Sequence, residues 1–345
     1  MMKLSTFDYA LPEELVAQEP VSPRDASRLL VLPAAPDAPP AHRLFAELPE
    51  LLAPGDLLVL NDTRVIPARL EGRKESGGRV ELLLVEPLEG GLGPAWRAIG
   101  QASKPIRAGA RLDFGALSAQ VEEAEGEGFY RVRLDREGAA LEAALAEVGR
   151  VPLPPYIHHA PSALDRERYQ TVVARAPGSA AAPTAGLHFT EGLFARLAAR
   201  GVERTTVTLH VGPGTFLPVR TEDLERHRMH AERYEVAEAA ARAVTACRAR
   251  GGRVVAVGTT AVRTLESAWT GDRLAVGPGR TTLFVRPGHH FRVVDALVTN
   301  FHLPRSSLLV LVSAFAGRER VLAAYLHAVA EGYRFYSYGD CMLVV

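Results

Sequence analysis

An α/β fold with a discontinuous main domain and an antiparallel β insertion is what this 345-residue sequence predicts. Three observations carry the prediction. From about Ala182 to the end, strand-like apolar runs alternate with helix-like runs, the pattern of a largely parallel sheet, open or closed. From Leu57 to about Leu134 the chain instead reads as short strands broken by Gly, Pro or charged turns, the texture of an antiparallel sandwich or barrel. The length also exceeds what one compact core usually holds, so two domains are the natural expectation.

Taken in order, residues Leu11 to Leu32 read as a helix followed by a strand and belong with the α/β part, which makes that part discontinuous. "LPAAPDAPPAHR" (Leu32–Arg43) is a Pro-rich surface loop. The β-rich block follows as "LLVLN", "RVIPARLEGR", "GRVELLLVE", "AWRAIG", "ARLDF" and "GFYRVRLD". Beyond it, "GVERTTVTLHVG" is a strand and "AEAAARAVTACRARGG" an Ala-rich helix stopped by Gly251. "RVVAVG" is a strand, and "TTAVRTLESAW" a helix opened by hydroxyl residues. "TTLFV" and "FRVVDALVT" are strands, "SSLLVLVSAFAG" and "RERVLAAYLHAVAEGY" helices, and "CMLVV" a last strand.

Lys+Arg is 40 and Asp+Glu is 40, so the formal charge is zero and the chain is not a strongly basic nucleic-acid binder. Any RNA contact must come from a local patch. Two distant cysteines, Cys247 and Cys341, imply neither a disulfide framework nor a cysteine-ligated iron–sulfur cluster. The opening "MMKLSTFDYALPEELVAQEP" lacks the apolar core of a signal peptide, and no apolar run approaches the ~20 residues of a membrane helix. A soluble, cytoplasmic protein is expected.

Chemistry is expected where strands end. "VTLHVGPGTF" runs into His210 and a Gly-Pro-Gly loop, "RVVAVGTTAVRTLES" into Gly258, Thr259 and Thr260, and "VDALVTNFHLPRSS" into Thr299, Asn300 and His302. In α/β proteins ligands lie outside the carboxyl ends of the strands, so these ends should converge on one rim. Gly258–Thr260 at a helix start suits an anion; plain N-capping by a threonine is the alternative. His188, at the end of "SAAAPTAGLHFT", resembles His210 and His302 in its apolar surroundings. A lone histidine of this kind is more often a core residue than a catalyst, but three near predicted strand ends offer proton transfer near neutral pH.

"RHRMHAERYEV" packs Arg226, His227, Arg228, His230 and Arg233 into eight positions, either a phosphate patch or a solvated helix face. "NDTRVIPARL" offers Arg64 and Arg69 beside Asn61 and Asp62, which alternatively serve turn chemistry. Leu217 stands where a dinucleotide fingerprint beginning at Gly212 and Gly214 needs glycine, and there is no phosphate-binding GxxxxGK[ST] or zinc HExxH motif. His227/His230, His158–His159 and His289–His290 come without further ligands, so no metal is expected. The residues by themselves lead to a metal-free α/β enzyme without naming its substrate.

Ten blocks in order resemble one family: "FDYALPEELVAQEP", "RDASRLLVL", "GDLLVLNDTRVIPARL", "AAPTAGLHFT", "LHVGPGTFLPV", "HRMHAERYEV", "VGTTAVRTLES", "TNFHLP", "LLVLVSAFAG" and "YRFYSYGDCML". The family is that of the S-adenosylmethionine:tRNA ribosyltransferase-isomerases of queuosine biosynthesis. The chain departs from its pattern at Val173 and His289, where an aromatic is expected, and at Thr282, where an acid is expected.

The resemblance implies a discontinuous β/α-barrel-like catalytic domain (residues 1–60 and 150–345) with a small inserted antiparallel β-barrel (61–149). It implies transfer of the ribosyl group of S-adenosylmethionine to the 7-aminomethyl-7-deazaguanine base of a tRNA anticodon. Adenine and methionine leave, and epoxyqueuosine forms. On this reading His188, foremost, or His210 or His302 moves protons. Gly258, Thr259, Thr260, Arg263 and Asn300 hold S-adenosylmethionine, with the first three and Arg263 placed for an anion. Arg64, Arg69, Arg226 and Arg228 grip RNA phosphates. S-adenosylmethionine is a co-substrate, with no permanently bound cofactor and no metal; the other partner is tRNA, there is no membrane, and the protein acts as a monomer. An S-adenosylmethionine methyltransferase and a non-catalytic RNA-binding module are the rival classes.

Overall fold

The computed structural model describes residues 2–35, 37–89, 91–212 and 221–345. Residues 213–220, which include Gly214 and Leu217 of the Gly-Pro-Gly loop, lie outside the described residues.

The chain enters through strands β1 (Arg28–Leu32) and β2 (Ala41–Leu44), the short helix α1 (Leu48–Leu51) and β3 (Leu57–Asn61). The helix expected between Leu11 and the first strand is only two short 3-10 turns, Glu13–Leu15 and Arg24–Ala26. Pro12 and Pro20 bracket the first and Pro23 precedes the second, and proline denies a helix its amide donors. After β4 (Thr63–Val65) come six strands: β5 (Arg69–Lys74), β6 (Arg79–Pro87), β7 (Ala95–Ala102), β8 (Arg111–Asp113), β9 (Ser118–Gly126) and β10 (Phe129–Leu134). They close into a barrel in the order β10-β7-β6-β5-β8-β9, every pairing antiparallel. Alternate residues fill it, among them Leu70, Leu82, Trp96, Leu112 and Val132, and helix α2 (Gly138–Val148) adds Leu141 and Leu145 to the same core. Each such large apolar side chain contributes about 1.5–3 kcal/mol on burial.

Helix α3 (Ala163–Arg168) and β11 (Ala176–Ser179) lead back to the larger part. There follow α4 (Glu191–Ala199), β12 (Glu203–Leu209), β13 (Glu232–Val236), α5 (Glu238–Ala249), β14 (Val254–Val257), α6 (Thr259–Ala268), β15 (Gly277–Thr281), β16 (Ala296–Asn300), α7 (Ser307–Ala316), α8 (Arg318–Ala330) and β17 (Cys341–Val344). Nine strands form one sheet, β15-β13-β12-β3-β14-β16-β17-β1-β2.

The fold class is the expected mixed α/β with an inserted closed β-barrel, but the large sheet is less parallel than its alternating texture suggests. β12/β3, β3/β14, β14/β16 and β1/β17 are parallel. β15/β13, β13/β12, β16/β17 and β1/β2 are antiparallel. Strand direction depends on the path of each connection, which alternation of elements does not encode. Among the described residues the outermost strands β15 and β2 do not pair, so the closed ladder belongs to the insertion. The expected strand "TTLFV" is displaced by four residues: β15 ends at Thr281, its first residue.

Period-two alternation sends the central strands into two cores. Leu57, Val59, Val254, Ala256 and Leu297 join α5 to α8 on one face. Leu58, Leu60, Val255, Val257, Ala296 and Val298 join α1 and α4 on the other. β12, β3, β14 and β16 all run in the same direction, so their carboxyl ends share one rim.

Candidate active site at the strand ends

A cavity opens on that rim. Val211 follows β12, Gly258–Thr260 follow β14, and Thr299–Leu303 end β16; all of them line it. Pro183–Ala185 from the small-residue segment before His188 form another wall, and Tyr156, Tyr336 and Ser337 a third.

His302 is the imidazole that lines this cavity. Its Nε2 is 2.8 Å from the Thr299 hydroxyl, its backbone N–H donates to the Tyr325 hydroxyl at 3.1 Å, and its carbonyl accepts from Tyr9 at 2.6 Å. Burial drives its pKa down to about 3, so the ring is neutral at physiological pH. The backbone is thus held from both sides and one ring nitrogen is anchored.

His188 is buried behind the wall rather than in it. Its Nδ1 is 2.7 Å from the Ser27 hydroxyl and its Nε2 is 3.2 Å from Asn300 Nδ2. An amide nitrogen only donates, so Nε2 accepts and Nδ1–H donates to Ser27. Burial lowers the pKa to about 4, and the neutral ring packs on Phe45 with centroids 5.0 Å apart. Asn300 itself lines the cavity. Its Nδ2 also donates to the Tyr336 carbonyl at 3.0 Å, while its Oδ1 is buried with no partner among the described residues.

Gly258 begins α6 at φ +86°, and no side chain caps the helix. The threonines therefore do not cap it, and the first-turn N–H groups of Thr259, Thr260 and Ala261 have no helical acceptor. The Thr260 hydroxyl is also buried without a partner among the described residues. Helix α7, capped by Ser306, starts on the same cavity. Two positive helix ends facing one space favour an anion there.

Arg263 does not line the cavity among the described residues. It is buried on α6, its Nη1 donates to Glu232, and its Nε donates to the Leu283 carbonyl at 3.1 Å. Expected to hold an anion together with Gly258–Thr260, Arg263 is instead paired with Glu232 within the protein.

His210 lies at an adjoining pocket between barrel residues and β13. Its Nδ1 is 2.9 Å from the Thr63 hydroxyl, and burial lowers its pKa, with nearby Arg233 adding to the effect. There the Arg97 guanidinium sits 4.2 Å from the ring centre of Phe129, and His230 also approaches that ring. Val211 lines the main cavity and its two chain neighbours line this one, so the two spaces share a strand end.

The "RHRMH" stretch is an exposed loop before β13, not a helix face. Arg226 is 82 % exposed with Asp223 3.6 Å away, and Arg228 is exposed. Arg64 instead pairs with Glu142 of α2 at 2.6 Å, and Arg69 with Glu81 at 3.1 Å. Asn61 and Asp62 fasten β3 to β12: Asn61 bridges both backbone groups of Leu209, and Asp62 accepts from Thr206 and Thr208. Val173 is half-buried against the second core, Thr282 is exposed, and His289 Nε2 lies 3.6 Å from Glu266. No group of three or more potential metal ligands occurs among the described residues.

Sequence reasoning missed Tyr156 and Tyr336. Their rings lie 4.6 Å apart, Tyr336 is at φ +70°, and the Tyr156 hydroxyl meets Ser337 at 2.6 Å. The aromatic cluster "YRFYSYGD" was the available signal.

The family model for queuosine biosynthesis proteins matches residues 4–344. The chain is 74% identical to the S-adenosylmethionine:tRNA ribosyltransferase-isomerase of Anaeromyxobacter dehalogenans strain 2CP-C, over 100% of this chain and 99% of that one. Against the protein of that name from Gloeobacter violaceus it is 56% identical, over 99% of this chain and 95% of the other. The crystal structure of S-adenosylmethionine tRNA ribosyltransferase from Thermotoga maritima aligns with a TM-score of 0.56 at 39% identity, over 99% of this chain and 100% of that one.

Proposed function

The chain belongs to the queuosine biosynthesis protein family as an S-adenosylmethionine:tRNA ribosyltransferase-isomerase, and from that premise we propose that the strand-end cavity is where the ribosyl group changes hands. The observation that carries this reading is the convergence of the β12, β14 and β16 ends on one cavity. S-adenosylmethionine binds there and gives its ribosyl group to the aminomethyl arm of a 7-deazaguanine in the tRNA anticodon. Adenine and methionine leave, and the base becomes epoxyqueuosine. The methionine carboxylate sits on the N–H groups of Thr259 and Thr260, and the faces of Tyr156 and Tyr336 suit a sulfonium cation or a stacked base.

The chemistry asks for a base near the carbon that the sulfonium acidifies, an unprotonated amine, and a proton for departing adenine. His302 is the candidate for these transfers, because its neutral ring lines the cavity. His210 is placed to act from the adjoining pocket, where the RNA base enters between the catalytic part (1–60 and 150–345) and the inserted barrel (61–149). A base undergoing chemistry must be splayed from its stack, and Arg226 and Arg228 supply the phosphate grip, with Arg64 and Arg69 as lesser contacts. The enzyme acts as a monomer on this reading; the tRNA substrate fits a cytoplasmic enzyme, and no described helix is long and apolar enough to cross a membrane. No metal or permanently bound cofactor enters this scheme.

Product analysis tests the reading. Incubation with S-adenosylmethionine and tRNA bearing the 7-aminomethyl base should release adenine and methionine, with a ribosyl-sized mass gain on the base. S-adenosylhomocysteine would make the protein a methyltransferase, and tRNA binding without turnover an RNA-binding module.

A further inference from the structure

A buried carbonyl without a donor is costly, and Asn300 Oδ1 is one. Its orientation is not free. Both hydrogens of Nδ2 are committed, one to the Tyr336 carbonyl at 3.0 Å and one to His188 Nε2 at 3.2 Å. Turning the amide over would set oxygen against the Tyr336 carbonyl, an acceptor facing an acceptor. His188 can accept only while its proton stays on Nδ1, and the Ser27 hydroxyl at 2.7 Å takes that proton's hydrogen bond. The chain Ser27–His188–Asn300 therefore ends in an acceptor that no described residue fills, buried just beneath the surface of the cavity that Asn300 lines.

We propose that Asn300 Oδ1 receives an N–H donor of S-adenosylmethionine, and that His188 and Ser27 are positioning residues which lock the amide for it. The proposal rests on the reading of the cavity as the S-adenosylmethionine site. The chemistry of the walls supports it. No carboxylate lines the cavity among the described residues, so a nitrogen donor must be met by neutral oxygen. Asn300 ends β16 directly beside the β14–α6 turn, where the Gly258 N–H donates to the Val298 carbonyl at 2.8 Å. An anion-favouring helix start and an empty acceptor on neighbouring strand ends fit the two ends of an α-amino acid, with the ammonium at Asn300. The 6-amino group of adenine offers the same N–H chemistry, and the experiment separates the two.

Calorimetric binding would be compared for S-adenosylmethionine, its analogue without the α-amino group, and its analogue with purine in place of adenine. With the wild-type protein, loss of the N–H that Asn300 receives should weaken binding roughly 10- to 100-fold, because the carbonyl is left empty. The analogue that suffers names the group. In Asn300→Ala that discrimination should disappear. In His188→Phe, which keeps a ring against Phe45 but removes the anchor of the amide, discrimination should shrink while the affinity of the affected analogue holds. A merely structural role would weaken all three ligands alike. The proposal is overturned if the wild-type protein binds both analogues as tightly as S-adenosylmethionine, if Asn300→Ala keeps the discrimination, or if only tRNA affinity responds. The wild-type comparison needs no variant to fold. Failure of the ribosyl-transfer reading would appear separately, as the wrong products with S-adenosylmethionine still bound.

Discussion

Asn300 Nδ2 lies 3.2 Å from His188 Nε2, and this contact takes the one lone pair that the imidazole could lend to chemistry. The histidine most conspicuous in the sequence supports the cavity wall, and the one on the wall is His302, five residues before the α7 start.

Replacing His302 by Ala should lower the single-turnover ribosyl-transfer rate about 10²- to 10⁴-fold, the usual range for a lost general acid or base. The neutral isostere Gln should recover little. A rate within a few-fold of wild type with tRNA and S-adenosylmethionine saturating would remove His302 from the proton steps.

Both buried imidazoles should make the fold acid-sensitive. Their folded pKa values are depressed, to about 4 for His188 and about 3 for His302, against ordinary values near 6.5. The unfolded chain therefore binds protons first. The stability they confer is intact above about pH 6.5 and falls as pH drops from there toward 4 and 3, by about 1.4 kcal/mol per pH unit for each ring. Urea unfolding between pH 7 and 4.5 should show this slope, and His188→Phe should remove part of it.

Arg263→Met should act on stability before affinity. It strips a buried cation from Glu232, a loss worth about 3–5 kcal/mol for a buried pair. Thermal melts would reveal it. A stable variant with only a raised KM for S-adenosylmethionine would restore Arg263 as an anion holder.

Gly258→Ala has room, since its Cβ would meet Ala185 at 3.5 Å, but φ +86° is strained for any side chain. We expect a cost of about 1–3 kcal/mol and a raised KM for S-adenosylmethionine as the first turn of α6 shifts. An unchanged KM would argue against an anion at this turn.

Arg226→Ala and Arg228→Ala should each lower the salt dependence of tRNA binding by about one unit of slope. Arg64→Ala, whose charge already meets Glu142, should do less. Equal slopes in all three variants would remove the loop from the RNA surface.

Two of the strands that carry the cavity, β14 and β16, were legible because they are apolar on both faces and run into polar residues followed by turns. The turn spacing made an antiparallel sandwich or barrel legible, and the family resemblance chose the barrel. What could not be read is set by partners distant in sequence. Nothing near His188 or His302 says which will meet Ser27 and Asn300 and which the open space. Arg263 looks available on its helix until Glu232 arrives from β13. The run "CMLVV" reads as a strand, but its direction against β16 depends on the path taken after α8. Tyr156 sits in a Pro-rich loop and gains meaning only when Tyr336 packs on it.

Strands β4 and β11 form a two-stranded parallel pair, with Thr63 opposite Ala176 and Val65 opposite Ser179. The Asp62 carbonyl accepts from the amides of Arg175 and Ala176 at 2.7 and 3.1 Å. The inserted segment thus leaves and re-enters through a hydrogen-bonded clasp. Lengthening a flexible loop costs only about 0.6 kcal/mol per doubling, and a clasp of this kind fixes where both ends return. The barrel strands β5 to β10 lie between these two fixed ends, as do Tyr156 and helix α3. Changes of length in the barrel hairpins would leave the junction held by Thr63 and Ser179, and the strand-end cavity, in register.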